Sequence, residues 1–272
     1  MHPKQLLADQ EIEPKKSLGQ NFLFDENVLR RIADTAELTS ADEVLEIGPG
    51  LGSLTQVLAE RAQRVVAVEL DDRLLPILRL QLAARPNVAL VHGDIMAQNP
   101  ADWFAEAEHY KVVANVPYYI TGGILRHLLT AVVKPELMVL TIQKEVAERL
   151  TATPGNMSLL AVSVQFYGLA TLEMNLAVGA FWPRPNVASS VLKVDLRQRL
   201  PSTTAVGDEE AFFHIVRMGF SQKRKQLQKN LRQLGDKKSI KTWLSAAEID
   251  GTRRAETLNL DEWVQLYETR PF

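Results

Sequence analysis

The heptapeptide Glu46-Ile47-Gly48-Pro49-Gly50-Leu51-Gly52 follows a short apolar run and precedes a stretch with helical periodicity. Glycine adopts positive φ in tight turns without steric cost, and it lets a ligand approach bare backbone. The spacing is G-x-G-x-G, whereas the dinucleotide-binding fingerprint is G-x-G-x-x-G. Because glycine turns after strands often serve only to reverse the chain, this loop by itself predicts a strand–turn–helix unit and leaves its ligand open.

Three polar residues follow at similar intervals: Glu69 ends the next apolar run, Asp94 follows the third, and Asn115 ends the fourth. The carboxyl ends of parallel strands share one edge of a sheet, where open α/β folds bind their ligands. Together with the glycine loop, these groups suit a ligand with a ribose diol, an adenine amine and a charged amino-acid tail. The alternative is that Glu69 and Asp94 only cap helices, a common role for acids at strand–helix junctions.

Short β-branched runs alternate with helix-like stretches from residue 42 to residue 195. The predicted strands are 43–47, 65–69, 88–91, 111–115, 137–142, 160–166 and 190–196, with helices at 53–62, 72–84 and 122–133. This alternation predicts an α/β fold with a mainly parallel, doubly wound sheet and an antiparallel edge strand. Beyond the turn-rich segment 199–207 the predicted elements are helices, at 209–219, 223–234, 239–246 and 260–269. We therefore expect two domains, residues 1–200 and 201–272.

Composition narrows the class of protein. The chain has 272 residues, 46% hydrophobic and 24% charged, which is typical of a globular protein. It has no cysteine, which excludes a disulfide framework, a thiolate metal site and a cysteine nucleophile, and favours a reducing compartment. No apolar run approaches the ~18 residues of a membrane span, the first residues lack a secretory signal, and the histidines show no metal-ligand spacing. We expect a cytoplasmic protein without a membrane segment or a metal site.

The segment Asn115-Val116-Pro117-Tyr118-Tyr119-Ile120 carries the most specific chemistry. Proline removes a backbone donor and stiffens the turn, so the Asn115 amide oxygen and a nearby carbonyl are left to accept hydrogen bonds beside the aromatic face of Tyr118. Two acceptors next to a stacking ring suit an exocyclic amine on a planar base. They favour a pyramidal nitrogen whose lone pair points at an electrophilic carbon, which is positioning chemistry that needs no strong base. The alternative is a strand-end turn whose tyrosines only pack.

A local positive patch spans residues 217–232 of a chain whose net charge is −2. The patch contains basic residues and no acidic ones: Arg217, Lys223, Arg224, Lys225, Lys229 and Arg232. Leu227, Leu231 and Leu234 recur at helical spacing, which predicts a helix with its apolar stripe inward and most cations outward. By itself such a face is usually only solvated. Beside a pocket that handles a base, contact with RNA phosphates becomes the better interpretation.

Taken in order, these motifs resemble those of the ribosomal RNA adenine N6-dimethyltransferases, most closely the bacterial small-subunit (16S) group. The resemblance rests on Ser17-Leu18-Gly19-Gln20-Asn21-Phe22-Leu23, the glycine loop, Glu69, Gly93-Asp94, residues 115–118, residues 143–150 and Phe181-Trp182-Pro183-Arg184-Pro185-Asn186-Val187. It covers essentially the whole chain from Ser17 onward, and the ordered set is highly specific although each motif is modest. The resemblance implies a Rossmann-like class I methyltransferase domain followed by a helical RNA-binding domain.

The resemblance also implies a role for individual residues. S-adenosylmethionine would be the cofactor, held by Asn21, Leu23, Gly48, Gly50, Glu69, Asp94 and Asn115, with Glu69 at the ribose hydroxyls and Asp94 near the adenine amine. Asn115 and the Pro117 carbonyl would hold the target amine in line with the sulfonium methyl. Tyr118 and Phe181 would sandwich the flipped adenine, since stacking at ~1–3 kcal/mol per aromatic face offsets much of the cost of extruding a base.

The implied reaction is dimethylation of two adjacent adenines near the 3′ end of 16S rRNA, by a monomer that acts on an immature 30S particle. The sequence departs from the family pattern at Val116, where leucine is usual and only packing should change, and at Met157-Ser158, where Tyr-Gly is usual and any role of that turn is in doubt. The alternatives are a nicotinamide-dependent oxidoreductase, a non-catalytic assembly factor on a methyltransferase scaffold, and a large-subunit enzyme of the macrolide-resistance type.

Overall fold

The computed structural model of the chain describes residues 2–107 and 109–271. Its strands are β1 (Phe22–Leu23), β2 (Glu43–Ile47), β3 (Arg64–Glu69), β4 (Val88–His92), β5 (Tyr110–Asn115), β6 (Leu137–Gln143), β7 (Leu169–Leu176), β8 (Phe181–Trp182) and β9 (Ser189–Asp195). Its α-helices are α1 (Pro3–Ala8), α2 (Glu26–Thr35), α3 (Ser53–Ala59), α4 (Leu75–Gln81), α5 (Ala101–Phe104), α6 (Thr121–Leu129), α7 (Lys144–Leu150), α8 (Leu159–Gln165), α9 (Pro201–Thr204), α10 (Glu209–Gly219), α11 (Leu227–Asn230), α12 (Lys237–Ala246) and α13 (Leu260–Glu268). No helix in the two described ranges is both long and apolar enough to cross a bilayer.

Seven of the strands form one sheet in the order β4-β3-β2-β5-β6-β9-β7. Neighbouring strands from β4 to β6 run parallel, and β9 runs antiparallel to β6. The predicted fold class is therefore confirmed, with the antiparallel β9 one place in from the edge because β7 lies outside it. Strands β1 and β8 pair antiparallel in a separate two-stranded sheet.

The central strands β2, β3, β5 and β6 are buried along almost their whole length. Because successive side chains of a strand point to opposite faces, continuous burial shows that both faces of the sheet are covered. On one face Val44, Val65, Val113 and Val139 pack in a single apolar cluster with residues of α2 and α3. This packing fixes the carboxyl ends of the strands, where the predicted site residues lie.

The prediction of a strand at residues 160–166 is wrong, because this segment forms helix α8. The Ser158 hydroxyl begins the helix by accepting a hydrogen bond from the Ala161 backbone N–H at 3.1 Å. A short apolar run does not distinguish a buried strand from a buried helix by periodicity, and the serine cap favours the helix. Ser158 of the unusual Met157-Ser158 pair thus has a structural role, and Met157 is buried.

The predicted helix over residues 223–234 is interrupted in the structure. Residues 220–226 form turns, α11 is a single helical turn, and Leu231–Gln233 form a 3-10 turn. The reason is tertiary: the backbone N–H groups of Leu227 and Gln228 donate to the carbonyls of Arg253 and Gly251, at 2.7 and 3.0 Å, and not to a preceding helical turn. Leu227 and Leu231 are buried, as the spacing predicted.

The chain forms two compact units, Met1–Ala147 with Thr171–Arg197, and Glu148–Ala170 with Gln198–Phe272. One junction lies close to the expected division between residues 200 and 201, but residues 148–170 belong to the helical unit. An aromatic cluster explains this placement: the Phe166 ring centroid lies 4.6 Å from that of Phe212 and 4.9 Å from that of Phe213, both on α10. The Arg199 guanidinium covers the Phe166 ring at 4.5 Å from its centroid.

Candidate active site

A cavity opens at the carboxyl ends of the parallel strands, next to the central strand β2. Strand β3 lies on one side of β2 and strand β5 on the other, so the order of the strands reverses at β2. This reversal of strand order is the place where open α/β sheets bind ligands. Eight of the predicted site residues line the cavity: Asn21, Gly48, Gly50, Glu69, Asp94, Asn115, Pro117 and Tyr118. The structure thus brings together residues that are far apart in the sequence, such as Asn21 and Asn115, which are 94 positions apart.

The glycine loop forms one wall of the cavity. Gly48 and Gly50 have φ values of 68° and 60°, in the left-handed region that side chains disfavour. A Cβ on Gly50 would also lie 2.9 Å from Cδ1 of Phe22. The loop therefore needs glycine both for its backbone conformation and for the close approach of the N-terminal segment.

Glu69 is the acid at the end of β3, and its side chain is nearly buried. Its two carboxylate oxygens accept hydrogen bonds from the backbone N–H groups of Gly50, at 3.0 Å, and Asp71, at 2.8 Å. Burial raises the pKa of Glu69. Because a carboxylate offers about four lone-pair sites, these two bonds fix the orientation of Glu69 and leave acceptor capacity for a ligand.

Glu46, which precedes the glycine loop, is a second buried acid beside Glu69. Burial, reinforced by the negative charge of Glu69, raises the pKa of Glu46 to about 8. Its Oε2 atom has no hydrogen-bond partner among the described residues. Glu46 is therefore mostly protonated at pH 7, and it adds little negative charge beside Glu69.

Asp94 follows β4 and is exposed at the rim of the cavity. Its Oδ1 atom accepts a hydrogen bond from the Met96 backbone N–H at 2.9 Å and caps the 3-10 turn Ile95–Ala97. One oxygen of Asp94 therefore does cap a helical turn, as the alternative interpretation from the sequence proposed. The other oxygen accepts no hydrogen bond from the described residues, so Asp94 can cap the turn and still accept from a ligand.

Asn115 ends β5 with its side-chain amide held in one orientation. Its Nδ2 atom donates to the backbone carbonyl of Asn21 at 2.9 Å. No described residue donates to its Oδ1 atom, which is therefore the free acceptor of the amide. The N-terminal loop thus sets the orientation of the residue that the sequence placed at the centre of the chemistry.

Pro117 and Tyr118 continue the same wall in the 3-10 turn Tyr118–Ile120. The Pro117 carbonyl is not wholly free: it accepts from the backbone N–H of Ile120 at 3.2 Å, and the Thr121 hydroxyl lies 3.5 Å away. A carbonyl has two lone pairs, so it keeps limited capacity for another donor. The Tyr118 hydroxyl shares a hydrogen bond of 2.5 Å with Ser189, and burial raises the pKa of Tyr118.

Two predicted site residues do not line this cavity. Leu23 and Phe181 are register partners in the β1–β8 sheet, and both side chains belong to the apolar core cluster. Phe181 is only 1% exposed. In this conformation its ring face is therefore not available to a base, and its role as a stacking partner stays a prediction that requires the ring to become accessible.

A hydrogen-bond cluster that sequence reasoning missed anchors the N-terminal loop. Asp71 accepts from Gln20 Nε2 at 2.8 Å and from Arg73 Nη2 at 2.6 Å, and Lys15 lies 3.8 Å away. Hydrogen bonds from Arg73 and Gln20 lower the pKa of Asp71 to about 2, so it stays ionised. Gln20 and Asp71 are 51 residues apart, and no periodicity or spacing in the sequence indicates that they meet.

The residues of the basic patch occupy separate elements of the helical unit. Arg217 lies on α10, Lys223, Arg224 and Lys225 in the turns at 220–226, Lys229 on α11, and Arg232 in the turn after it. Each of these side chains is exposed, and none forms an ion pair with a described residue. Buried Asn230 fixes the turns by donating from Nδ2 to the carbonyls of Gly219 and Gln222, at 2.5 and 3.1 Å.

One group of potential metal ligands lies outside the cavity. Asp42, His109 and Glu136 bring their ligand atoms within 4.8 Å of one another. The buried Lys111 ammonium lies 3.0 Å from Asp42 and 3.7 Å from Glu136. Because this ammonium lies between the two carboxylates and offsets one of their negative charges, we interpret the cluster as an ion-pair network.

The cavity residues fit S-adenosylmethionine. Glu69 keeps acceptor sites for ribose hydroxyls, Asp94 keeps one oxygen for an amine, and the glycine loop presents bare backbone, since a Cβ on Gly48 would meet only the Asn115 carbonyl, at 3.9 Å. An open parallel sheet with these groups at its switch point defines a class I S-adenosylmethionine-dependent methyltransferase.

The model of the family "Ribosomal RNA adenine dimethylase" matches residues 12–270. The chain belongs to this family. It is 44% identical over 266 residues to a ribosomal RNA small subunit methyltransferase A of Dehalococcoides mccartyi, covering 97% of this chain and 90% of the relative. The identity is also 44% to the protein of that name from Geobacillus thermodenitrificans, over 97% of this chain and 93% of the relative.

Solved structures agree with this assignment. The 23S rRNA methyltransferase ErmE is similar with a TM-score of 0.73 and 28% identity, over 92% of this chain and 99% of that chain. A dimethyladenosine transferase from Plasmodium falciparum shares the fold with a TM-score of 0.74 and 23% identity, over 90% of this chain and 95% of that chain. The protein is thus an rRNA adenine dimethyltransferase that uses S-adenosylmethionine, and the oxidoreductase alternative is wrong.

Proposed function

We propose that this enzyme dimethylates N6 of two adjacent adenines near the 3′ end of 16S rRNA, acting as a monomer on an immature 30S particle in the bacterial cytoplasm. The single observation that carries the proposal is the fixed amide of Asn115, whose Oδ1 accepts from no described residue and which lines a cavity together with Glu69 and Tyr118. Preference for the small subunit is supported by relatives of that name at 44% identity, compared with 28% for ErmE.

In this proposal the strand-end residues hold the cofactor. Glu69 accepts hydrogen bonds from the ribose hydroxyls, Asp94 accepts from the adenine amine, and the backbone of Gly48, Gly50 and Asn21 lies against the amino-acid tail. Leu23 supports this wall from the core through β1. The bound cofactor supplies one thing to the reaction, an electrophilic methyl group on a sulfonium sulfur.

The target amine is oriented by Asn115 and Pro117. The Asn115 Oδ1 atom accepts from one N–H of the adenine amine, and the Pro117 carbonyl uses its remaining capacity for the other. With both N–H groups held, the nitrogen lone pair would be directed at the methyl carbon. As the N–C bond forms, the methyl–sulfur bond would break with its electron pair left on a neutral thioether sulfur, and the excess proton of the methylated amine would pass to water. No basic side chain is required, because the amine is positioned and not deprotonated in advance.

Tyr118 stacks on the extruded adenine, with Phe181 as the second ring if binding exposes it. RNA phosphates are contacted by the exposed cations of the basic patch: Arg217, Lys223, Arg224, Lys225, Lys229 and Arg232. The exposed cations belong to the helical unit, whereas the residues that line the cavity belong to the sheet unit, and this supports a division between phosphate binding and base chemistry.

Methyl transfer to 30S particles tests this function. Wild-type protein should transfer tritiated methyl groups to 30S particles from cells that lack the modification, and mass spectrometry should place two methyl groups on each of two adjacent adenines. Asn115→Ala should lower the transfer rate at least ~100-fold, because the amine loses its fixed acceptor, while particle binding stays nearly unchanged.

Fully modified 30S particles and 50S subunits serve as controls and should accept no label. Transfer to 50S subunits alone would replace the small-subunit proposal with a large-subunit one. Transfer at an unchanged rate by Asn115→Ala would remove the role assigned to this residue.

A further inference from the structure

A buried serine lies behind the aromatic wall of the cavity. Ser189 is the first residue of β9 and is fully buried. Its hydroxyl shares a hydrogen bond of 2.5 Å with the phenol of Tyr118, a residue 71 positions earlier in the chain. Ser189 itself does not line the cavity, so any effect it has on the reaction passes through Tyr118.

The position of Ser189 is set by the sheet. It is the register partner of Gln143 at the end of the antiparallel β6–β9 ladder, and a ladder held by backbone hydrogen bonds allows little displacement of its residues. Its hydroxyl is thus a fixed point for the phenol of Tyr118.

The backbone of Tyr118 is fixed from the other side. It follows Pro117, whose φ is restricted by its ring, and its carbonyl accepts from the Thr121 hydroxyl at 3.3 Å. With the backbone end held by this turn and the phenol end held by Ser189, the two side-chain torsions of Tyr118 have little freedom, and the plane of the ring is defined before any base arrives.

We propose that Ser189 is a positioning residue for methyl transfer: its hydrogen bond holds the Tyr118 ring in the plane on which the target adenine stacks. This inference rests on the proposed function, in which Tyr118 is the stacking ring. If the phenol is released, the ring swings, the stacked base tilts, and its amine leaves the line set by Asn115.

The neighbouring Ser190 provides a matched control. It is also fully buried, and its hydroxyl donates to Asn175 Oδ1 at 2.7 Å. Successive residues of a strand point to opposite faces, so Ser190 lies on the side of β9 away from Tyr118. Replacing either serine with alanine removes one buried hydroxyl and one hydrogen bond from the same strand, but only one of them contacts Tyr118.

The test compares single-turnover methyl transfer to unmethylated 30S particles by wild type, Ser189→Ala and Ser190→Ala. Ser189→Ala should slow transfer ~5- to 10-fold, the effect of losing a hydrogen bond of ordinary strength, while the particle concentration at half-maximal rate changes less than ~2-fold. Ser190→Ala should transfer at the wild-type rate. The melting temperatures of the two variants should fall by similar amounts, and their affinity for S-adenosylmethionine should equal that of wild type.

Tyr118→Phe removes the same hydrogen bond from the other side and leaves the strand unchanged. It should slow transfer about as much as Ser189→Ala, and adding Ser189→Ala to Tyr118→Phe should cause no further loss, since one bond cannot be lost twice. Losses that multiply in the double variant, or equal slowing by Ser189→Ala and Ser190→Ala, would overturn the inference and leave Ser189 a structural residue.

Failure of the underlying function is distinguishable from failure of this inference. If wild type transfers no methyl to 30S particles, the proposed substrate is wrong. If Tyr118→Ala is fully active, the stacking role of Tyr118 is wrong. If Tyr118→Ala is inactive and Ser189→Ala equals wild type, only the positioning role of Ser189 is refuted.

Discussion

Asn115 depends for its orientation on a backbone carbonyl, not on another side chain. The Asn21 carbonyl accepts from Asn115 Nδ2. Because this carbonyl belongs to the backbone, the direction of the remaining acceptor, Asn115 Oδ1, does not depend on which side chain occupies position 21. This arrangement separates two tasks: the sequence must supply an asparagine at the end of β5, and the fold must bring the N-terminal loop against it. The first task is visible in the sequence and the second is not.

Glu46 makes the stability of the protein depend on pH. Its pKa is about 8 in the folded protein, against an ordinary value of 4.5, so the folded state binds a proton more tightly than the unfolded state. The stabilisation is complete below pH 4.5 and is lost as the pH rises towards 8, at up to ~1.4 kcal/mol per pH unit. Glu46→Gln should therefore flatten the fall of the unfolding free energy between pH 5 and pH 8.

Urea unfolding of both proteins at several pH values within that window measures this slope. Glu60→Gln, at an exposed position paired with Arg85, is the control and should follow the wild-type curve. Parallel curves for wild type and Glu46→Gln would show that Glu46 is already ionised at neutral pH.

The sequence predicted the strand-end members of the site because they follow a rule of geometry. Parallel strands end at one edge, so Glu69, Asp94 and Asn115 had to come near one another once the alternation of strands and helices was recognised. Phe181 follows no such rule, because its burial depends on how β8 pairs with β1. Strands of this length are too short to show a hydrophobic periodicity in the sequence.

At the scale of elements, the secondary-structure predictions were wrong where a tertiary contact or a helix cap determined the conformation of a short segment. The apolar run 160–166 is compatible with strand or helix, and the Ser158 cap selected the helix. The basic segment 223–234 has good helical spacing, yet the first N–H groups of α11, those of Leu227 and Gln228, donate to the carbonyls of Arg253 and Gly251. In both cases the deciding group lies outside the window in which periodicity is measured.

The loop of residues 15–21 is an element held by one buried carboxylate. Asp71 is 2% exposed and binds Gln20, Arg73 and Lys15. Asp71→Asn should loosen this loop, because the ion pairs are lost. Trypsin should then cleave after Lys15 and Lys16 several-fold faster than in wild type, and methyl transfer should slow since the Asn21 carbonyl no longer holds Asn115.

Asp34→Asn is a suitable control for this experiment, because it removes an exposed ion pair with Arg61 away from the loop. Equal cleavage rates for Asp71→Asn and Asp34→Asn would mean that the loop is held by its apolar contacts and not by Asp71.

At the scale of the whole molecule, net charge conceals how charge is distributed. A chain with a net charge of −2 presents, on the helical unit, exposed cations that form no ion pair within residues 2–107 and 109–271. Replacing Lys223, Arg224 and Lys225 together with Gln should weaken binding to 30S particles and reduce the slope of log affinity against log salt by up to ~0.7–0.9 per lost phosphate contact. Affinity for S-adenosylmethionine should not change.

The matched control replaces Lys237, Lys238 and Lys241 with Gln. These residues are exposed on the same unit and change the net charge equally. A uniform long-range attraction would make the two triple variants equivalent, whereas specific phosphate contacts at the 220–226 turns predict a clearly larger loss for the first.

The interleaving of the two units has a consequence for synthesis of the protein. Strand β6 is translated before the helical segment 148–170, but its partner β9 comes only afterwards. A nascent chain that has emerged only as far as the helical segment therefore presents the bare backbone edge of β6, the kind of surface on which neighbouring polypeptides associate. Premature stop codons between these strands should yield products that depend on chaperones or are degraded.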